Sequence, residues 1–413
     1  MKKKQLGVVG AVVSAALIGA AMLVPSANAA VRTITVWADD QRGPQLTTLL
    51  QGNTSIVPGY KINIKFFSSL TALQTAWANV TAATAPDVLT GAVNVSADAQ
   101  SGKLAPIQWG SKTTDFSTGA INFVSWGGHT YGVPLDVDTT ALVYNKAFFP
   151  TAPTSLSSMI SYYVANKASK GLTAGLCFPD GVWDSQAFLT AMGGGAWQIG
   201  RTPNYTSVQL NNPAFIANVK AQLYTNGSSN GFISGYDASC TNDFEAGKIP
   251  FAMTGAWNYA AFTAKGINFG LTAMPGLNGG TPGAQWVGCS GAYLTSYAAN
   301  HGVAIGARQL LTNWFASASG QLAMSKLSQR PPASAAAVAQ VTDPLTLGVG
   351  KAAAAGQPQI DALLNDSTGG TNWYDTLGAM YKAMFEQGKD AATTINAAAA
   401  IVQKNFTHAA AGL

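Results

Sequence analysis

Between residues 33 and 91 the chain changes hydrophobic period four times, and that alternation limits what it can fold into. "TITVWADD" (33–40) alternates β-branched and small residues, then stops before Gly43-Pro44, as a strand entering a loop does. "QLTTLLQG" follows as a short helix closed by Gly52, and "YKINIKFF" is a second alternating strand. Residues 69–82 are helical, and "PDVLTGA" is an apolar strand ending at Gly91. Strand, helix, strand, helix, strand predicts an α/β layer with a parallel sheet. Ligands gather beyond the carboxyl ends of such strands, which places Asp39, Asp40, Arg42 and the 91–94 segment, with Asn94, beside a site.

A second layer of the same kind follows. "TYGVPLDVDTTALVYNKAFF" (130–149) is an apolar run in which Asp136 and Asp138, two apart on a strand, share one face. "PTAPTSLSSMISYY" opens a helix, "GLTAGLCF" is a strand, and "DSQAFLTAMGGG" is a helix ending in glycines. An amphipathic helix is expected over 211–225. "CTNDFEAGKIPFAMTGAW" reads as a helix end and then a strand that delivers Trp257 just after a glycine. The last third is helical, with apolar residues at three- and four-residue spacing. Two α/β layers joined by extended segments predict a ligand cleft between two lobes.

The amino end reads as an export signal over 1–29: Lys2, Lys3 and Lys4, then an apolar stretch, then "SANAA" with small residues before a cut at Ala30. An exported protein of the periplasm or extracellular space follows. Without those lysines, 20 basic residues face 18 acidic ones, a near balance that argues against nucleic acid as a partner. His129, His301 and His408 make no metal-binding pair, and no cofactor is expected. Charged residues are only 10% of the chain, and its only glutamates are Glu245 and Glu386. Few charges of either sign limit the repulsion that builds when carboxylates protonate, which suits an acidic exterior; a drift toward small residues explains the same composition.

Four stretches, in order, resemble a known family. They are "APDVLTGAVNVSADAQSGKLAPI", "GHTYGVPLDVDTTALVYNKAFF", "FEAGKIPFAMTGAWNYAAF" with "FGLTAMPGL" behind it, and "NWYDTLGAMYKAMFEQGKDAATTINAA". Together they resemble the sugar-binding branch of the solute-binding proteins of ABC importers, the maltodextrin binders among them, over residues 33–406. The resemblance implies a two-lobe periplasmic-binding-protein fold of type II. The N-lobe would be 30–137 plus 292–342 and the C-lobe 141–288 plus 345–413, with crossings near 138–140, 289–291 and 343–344. It also implies a carbohydrate ligand, a membrane permease as partner, a monomer, and no catalysis.

By position in that family, Trp257 and Trp373 would stack on sugar rings, with Tyr374 offering a hydroxyl. Asp40 and Arg42 would bind hydroxyls from the first loop, or Asp39 in place of Asp40. Asp138, with Asp136 beside it, would bind from the crossing strand, and Trp183 or Asp184 from the C-lobe. Core packing for the tryptophans and a solvated loop pair for Asp40 and Arg42 are the plain alternatives. Gly91, Asn94, Val95 and Leu377 replace family residues that bind maltodextrin, so a smaller or differently hydroxylated sugar is expected. Cys177, ending a strand, and Cys240, starting a helix, are candidates for one disulfide, with Cys289 a buried apolar side chain. A secreted glycoside hydrolase using Asp136 and Asp138 is the rival reading; the same fold holding a non-sugar solute is another. If the low charge is an acid adaptation, thermal unfolding at pH 3 will show a midpoint close to that at pH 7. A collapse at pH 3 would refute it.

Overall fold

The computed structural model describes residues 31–91, 93–196, 208–233 and 239–411; the expected export signal lies outside them. The chain begins β1 (Arg32–Ala38), α1 (Gly43–Leu50), β2 (Tyr60–Phe66), α2 (Leu70–Ala78), β3 (Val88–Gly91), α3 (Val95–Gln100) and α4 (Thr118–Phe123). It continues through β4 (Gly132–Asp138), β5 (Ala141–Asn145), α5 (Leu156–Lys170), β6 (Leu176–Cys177), α6 (Ser239–Glu245), β7 (Phe251–Thr254) and α7 (Ala256–Ala264). Then come β8 (Phe269–Thr272), β9 (Trp286–Leu294), α8 (Pro344–Ala354), β10 (Gln357–Pro358), α9 (Trp373–Tyr381) and α10 (Ala391–Ala410).

Two sheets organise these elements. In the first, β1 pairs in parallel with β2 and β3, as the 33–91 alternation predicts, while β9 runs antiparallel between β3 and β4. β10 pairs with the first residues of β9. The second sheet has the order β8–β5–β7–β6, with β5 antiparallel to both neighbours. Both sheets are therefore mixed rather than parallel throughout. Trp257 is also not on a strand: β7 stops at Thr254, and the tryptophan is the second residue of α7.

The inward faces build two main cores. Ile34, Val36, Leu46, Val88, Val133, Leu135, Ala292 and Leu294 fill the first. Leu142, Met159, Phe178, Phe188, Phe215, Phe251, Trp286, Trp373 and Phe406 fill the second. Strand β4 belongs to the first sheet and β5 to the second, so the chain passes between lobes at Thr139 and Thr140, both buried. The Thr139 hydroxyl donates to the Trp286 carbonyl at 2.8 Å, tying this passage to the start of β9. β9 itself starts with Trp286 in the second core and ends with Leu294 in the first. α8 packs against β8 and β5, carrying the chain back to the second lobe.

Cys177 on β6 and Cys240 on α6 are joined by a disulfide, 63 residues apart with Cα atoms 5.7 Å apart, and Cys289 is a free, buried thiol. Closing a loop of that length restricts the unfolded chain by about 4 kcal/mol. Replacing both cysteines by serine is expected to lower unfolding stability by an amount of this order, read by denaturant titration. A loss under ~1 kcal/mol would mean that the link contributes little.

Candidate functional site: a cavity between the lobes

The first loop turns Asp39 and Arg42 away from solvent. Arg42, only 3% exposed, is the centre of a buried ion cluster. Its Nε and Nη2 donate to the two oxygens of Asp136 at 3.1 and 2.8 Å, Nη1 donates to Asp39 at 3.0 Å, and Nη2 also reaches Asp138 at 2.8 Å. Ser290 on β9 accepts from Arg42 and donates to Asp138. Arg330 donates to the second oxygen of Asp138 at 2.8 Å and also to Gln41. A charge this far from water must be paired, which is why acid and base converge here from the loop after β1, from β4 and from the 330 segment, with the Ser290 hydroxyl of β9 between them. Gly91 completes the fit: its φ is +114°, and a Cβ there would lie 3.2 Å from Asp39 Oδ2.

The electrostatics split the carboxylates. Burial pushes the Asp136 carboxyl up, and the Asp138 charge adds to that against the pull of Arg42. Burial would raise Asp138 too, but Arg42 and Arg330 outweigh it and hold that carboxyl well below the usual range. For Arg42, burial works against the charge and the three aspartates overcome it, keeping the guanidinium protonated.

Beside this cluster lies a cavity of about 210 Å³. One lobe lines it with Val93, Phe123, Asp138 and Tyr293, the other with Trp183 and Gln359, while Gly288 and Cys289 of β9 form its floor. Trp183 and Trp257 are neighbours, with ring centroids 5.9 Å apart and planes tilted by 49°. Each indole is held by its N–H: Trp183 donates to Gln359 Oε1 at 2.9 Å and Trp257 to Asp180 Oδ2 at 2.6 Å. The glycine before Trp257 now has a reason. A Cβ on Gly255 would come within 2.2 Å of the Trp257 ring, so only glycine lets the ring lie back on the chain.

The expected residues therefore separate. Asp138 and Trp183 line the cavity, and Trp257 packs against Trp183. Asp39, Arg42 and Asp136 are corrected from ligand groups to members of the buried cluster, because their polar atoms are spent on one another away from solvent. Asp40 is exposed on the loop outside the cavity lining. Asn94 is exposed, and its side chain caps α3 by accepting from Ala97 N at 3.1 Å. Trp373 is 0% exposed, stacked on Phe406 and set edge-on to Trp286, so no ring face remains for a ligand. It shares the buried face of α9 with Leu377, Met380 and Tyr381, at helical spacing. Tyr374 is half-buried at the margin of that core. Asp184 is fully buried, and one oxygen accepts from Asp180 N at 2.7 Å.

Sequence reasoning missed Arg330, Ser290, Phe123, Asp180 and Gln359. A lone arginine before a proline pair, or a glutamine after a short strand, carries no local pattern. The "PDG" turn at 179–181 was the nearest signal for Asp180.

Comparison with known proteins settles the family. The model for bacterial extracellular solute-binding proteins matches residues 57–347, most of the chain. The chain is a bacterial extracellular solute-binding protein. Two curated relatives come from Bacillus subtilis (strain 168), each 26% identical to this binding protein. One is a galactooligosaccharide-binding protein, matched over 183 residues (42% of this chain and 43% of that one). The other is the maltodextrin-binding protein MdxE, matched over 233 residues (52% and 54%). The match thus spans about half the length of either relative. Two crystal structures share the fold over nearly the whole chain. A cyclo/maltodextrin-binding protein complexed with maltotetraose is 19% identical, with a TM-score of 0.68, covering 90% of this chain and 96% of that one. The maltose-binding periplasmic protein MalE from Listeria monocytogenes, in complex with maltose, is 20% identical, with a TM-score of 0.69, covering 92% and 98%. The binding protein's two-lobe architecture is that of these structures.

Asp184 supplies a pH test. Burial, with the nearby Asp180 charge adding to it, pushes its carboxyl well above the usual carboxylate range. A carboxyl raised by folding stabilises fully below its unfolded value, near 3.8, and loses that contribution as pH rises through the folded value. Asp184→Asn keeps an acceptor for Asp180 N and removes the ionisation. The variant is expected to gain unfolding midpoint over the wild type at pH 7 and to lose that advantage at pH 4. Equal differences at both pH values would refute this account.

Proposed function

We propose that this binding protein captures a short carbohydrate between its lobes and delivers it to the permease of an ABC-type importer. The observation that carries the reading is the cavity itself, with an aromatic wall, Trp183 backed by Trp257, on one lobe and a charged acceptor, Asp138, on the other. A pyranose offers C–H faces to an aromatic ring and hydroxyls at its edge to a carboxylate, and a charge-assisted hydrogen bond contributes about 1.5–3 kcal/mol. The relatives' names, for galactooligosaccharide and maltodextrin, and the maltose and maltotetraose complexes support the ligand class. The size of the cavity favours a short sugar over a long glucan.

Binding requires only that the sugar favour the closed arrangement of the lobes over the open one. Export to the periplasm or cell exterior, action as a monomer and absence of turnover complete the reading. Among the described residues no helix is long and apolar enough to cross a membrane. The hydrolase rival loses its supporting feature, since both Asp136 oxygens are taken by Arg42 and the group is buried.

Intrinsic tryptophan fluorescence during titration with mono-, di- and oligosaccharides, at pH 4 and pH 7, tests the proposal. A saturable shift with one sugar, lost in Trp183→Ala and weakened in Trp257→Ala, is expected. Trp373→Ala should cost about 3–5 kcal/mol of stability as a core deletion yet leave the affinity of the folded protein unchanged. Silence across the panel would overturn the carbohydrate reading.

A further inference from the structure

Trp183 is tied to two of the segments that run between the lobes. Its indole N–H donates to Gln359, the residue after β10, and β10 pairs with the first residues of β9. Its backbone carbonyl accepts from Gln285 Nε2 at 3.1 Å, and Gln285 stands immediately before β9. The same Gln285 amide nitrogen donates to the Thr140 hydroxyl on the first passage between lobes, while its oxygen accepts from Ala187 N at 3.0 Å. Gln285 is 1% exposed, so each of these bonds forms away from competing water. Gln359, by contrast, is part-exposed and lines the cavity.

We propose that Gln285 and Gln359 are positioning residues that set the Trp183 ring against the interlobe strands, so that a ligand packed on that ring bears directly on the hinge. The inference rests on the carbohydrate reading of the cavity. An indole held only by packing can rotate about two side-chain bonds. Here the bond at the ring nitrogen removes that freedom before a ligand arrives, and the bond to the backbone carbonyl fixes the main chain that carries the ring, which together lower the ordering cost of binding. Because Thr140 and Gln285 lie where the chain changes lobe, a shift of Trp183 is transmitted to the residues that must rotate when the lobes close.

The test uses the full chain and the sugar that saturates the fluorescence titration. Gln359→Leu should weaken binding about five- to tenfold, the loss of one hydrogen bond to an aromatic anchor. It should also alter the tryptophan circular dichroism near 290–300 nm in the ligand-free protein. Gln359→Glu, which keeps an acceptor, should stay within about twofold of wild type on both readouts. In a Trp183→Phe background, which keeps a ring and removes the N–H donor, Gln359→Leu should add less than about twofold. Thr140→Val, close to isosteric, should weaken binding through the hinge without touching the cavity lining.

An equal cost of Gln359→Leu in both backgrounds would overturn the proposal, since Gln359 would then act on the ligand directly. So would a dichroism signal unmoved by Gln359→Leu. Unchanged affinity in Thr140→Val would overturn the link to the hinge. Should the wild type bind no sugar in the panel, the carbohydrate reading fails, while the ligand-free dichroism still decides whether Gln359 positions the indole.

Discussion

The pairing of Arg42 with three aspartates is the constraint around which the first lobe is arranged. A guanidinium out of water cannot be tolerated alone, and losing one partner of such a buried pair costs about 3–5 kcal/mol. The partners come from the loop after β1, from β4 and, through Ser290, from β9. Two strands of one sheet are thus also linked by ion pairs near their ends, and a third is joined to them by the Ser290 hydroxyl. Arg330 adds a fourth attachment from the segment leading to the last passage between lobes. Two guanidinium groups cannot neutralise three carboxylates, and the imbalance is uneven: Asp136, the deeper, is pushed toward its neutral form, while Asp138 stays ionised. The charge at the cavity edge is therefore a consequence of how the cluster behind it is balanced.

The second lobe meets the cavity differently, with rings rather than charges. Its acids near the site, Asp180 and Asp184, work inward: Asp180 accepts from Trp257 and Thr254, and Asp184 accepts from the Asp180 backbone. Asymmetry of this kind suits a ligand with one apolar face and polar edges. It also assigns different tasks to the lobes, since the charged side is locked by ion pairs and the aromatic side is tethered to the strands that pass between them.

Much of the first lobe was legible because period and chain order carry it. β1, α1, β2, α2 and β3 lie where the alternation of 33–91 places them, since hydrophobic spacing of two and of three to four dictates strand and helix wherever one face must be buried. The antiparallel entry of β9 between β3 and β4 was not legible, because pairing across some 200 residues leaves no local trace. Trp257 shows a boundary error: β7 ends three residues earlier, and the glycine that suggested a strand end is the residue that gives the ring space. Trp373 shows a mistake of role. Its four-residue spacing to Leu377 already marked the inner face of α9, but similarity of position to a stacking tryptophan outweighed the periodicity.

By itself the sequence determined the two α/β layers, the small charge and the chemical inventory: aromatic rings, a few aspartates, almost no glutamate and no two histidines at metal-binding spacing. These follow from residue type and short-range spacing, which act over a turn of helix or a pair of strand residues. Only the tertiary structure decided which of those groups face the cavity. Asp39, Asp136 and Asp138 are the same residue type at neighbouring strand ends, yet two are sealed against Arg42 and one borders open space. Trp183 and Trp373 are equally large and apolar, yet one lines the cavity and the other fills the core. Burial depends on what arrives from distant parts of the chain, and desolvation, unlike helix or strand preference, has no local signature.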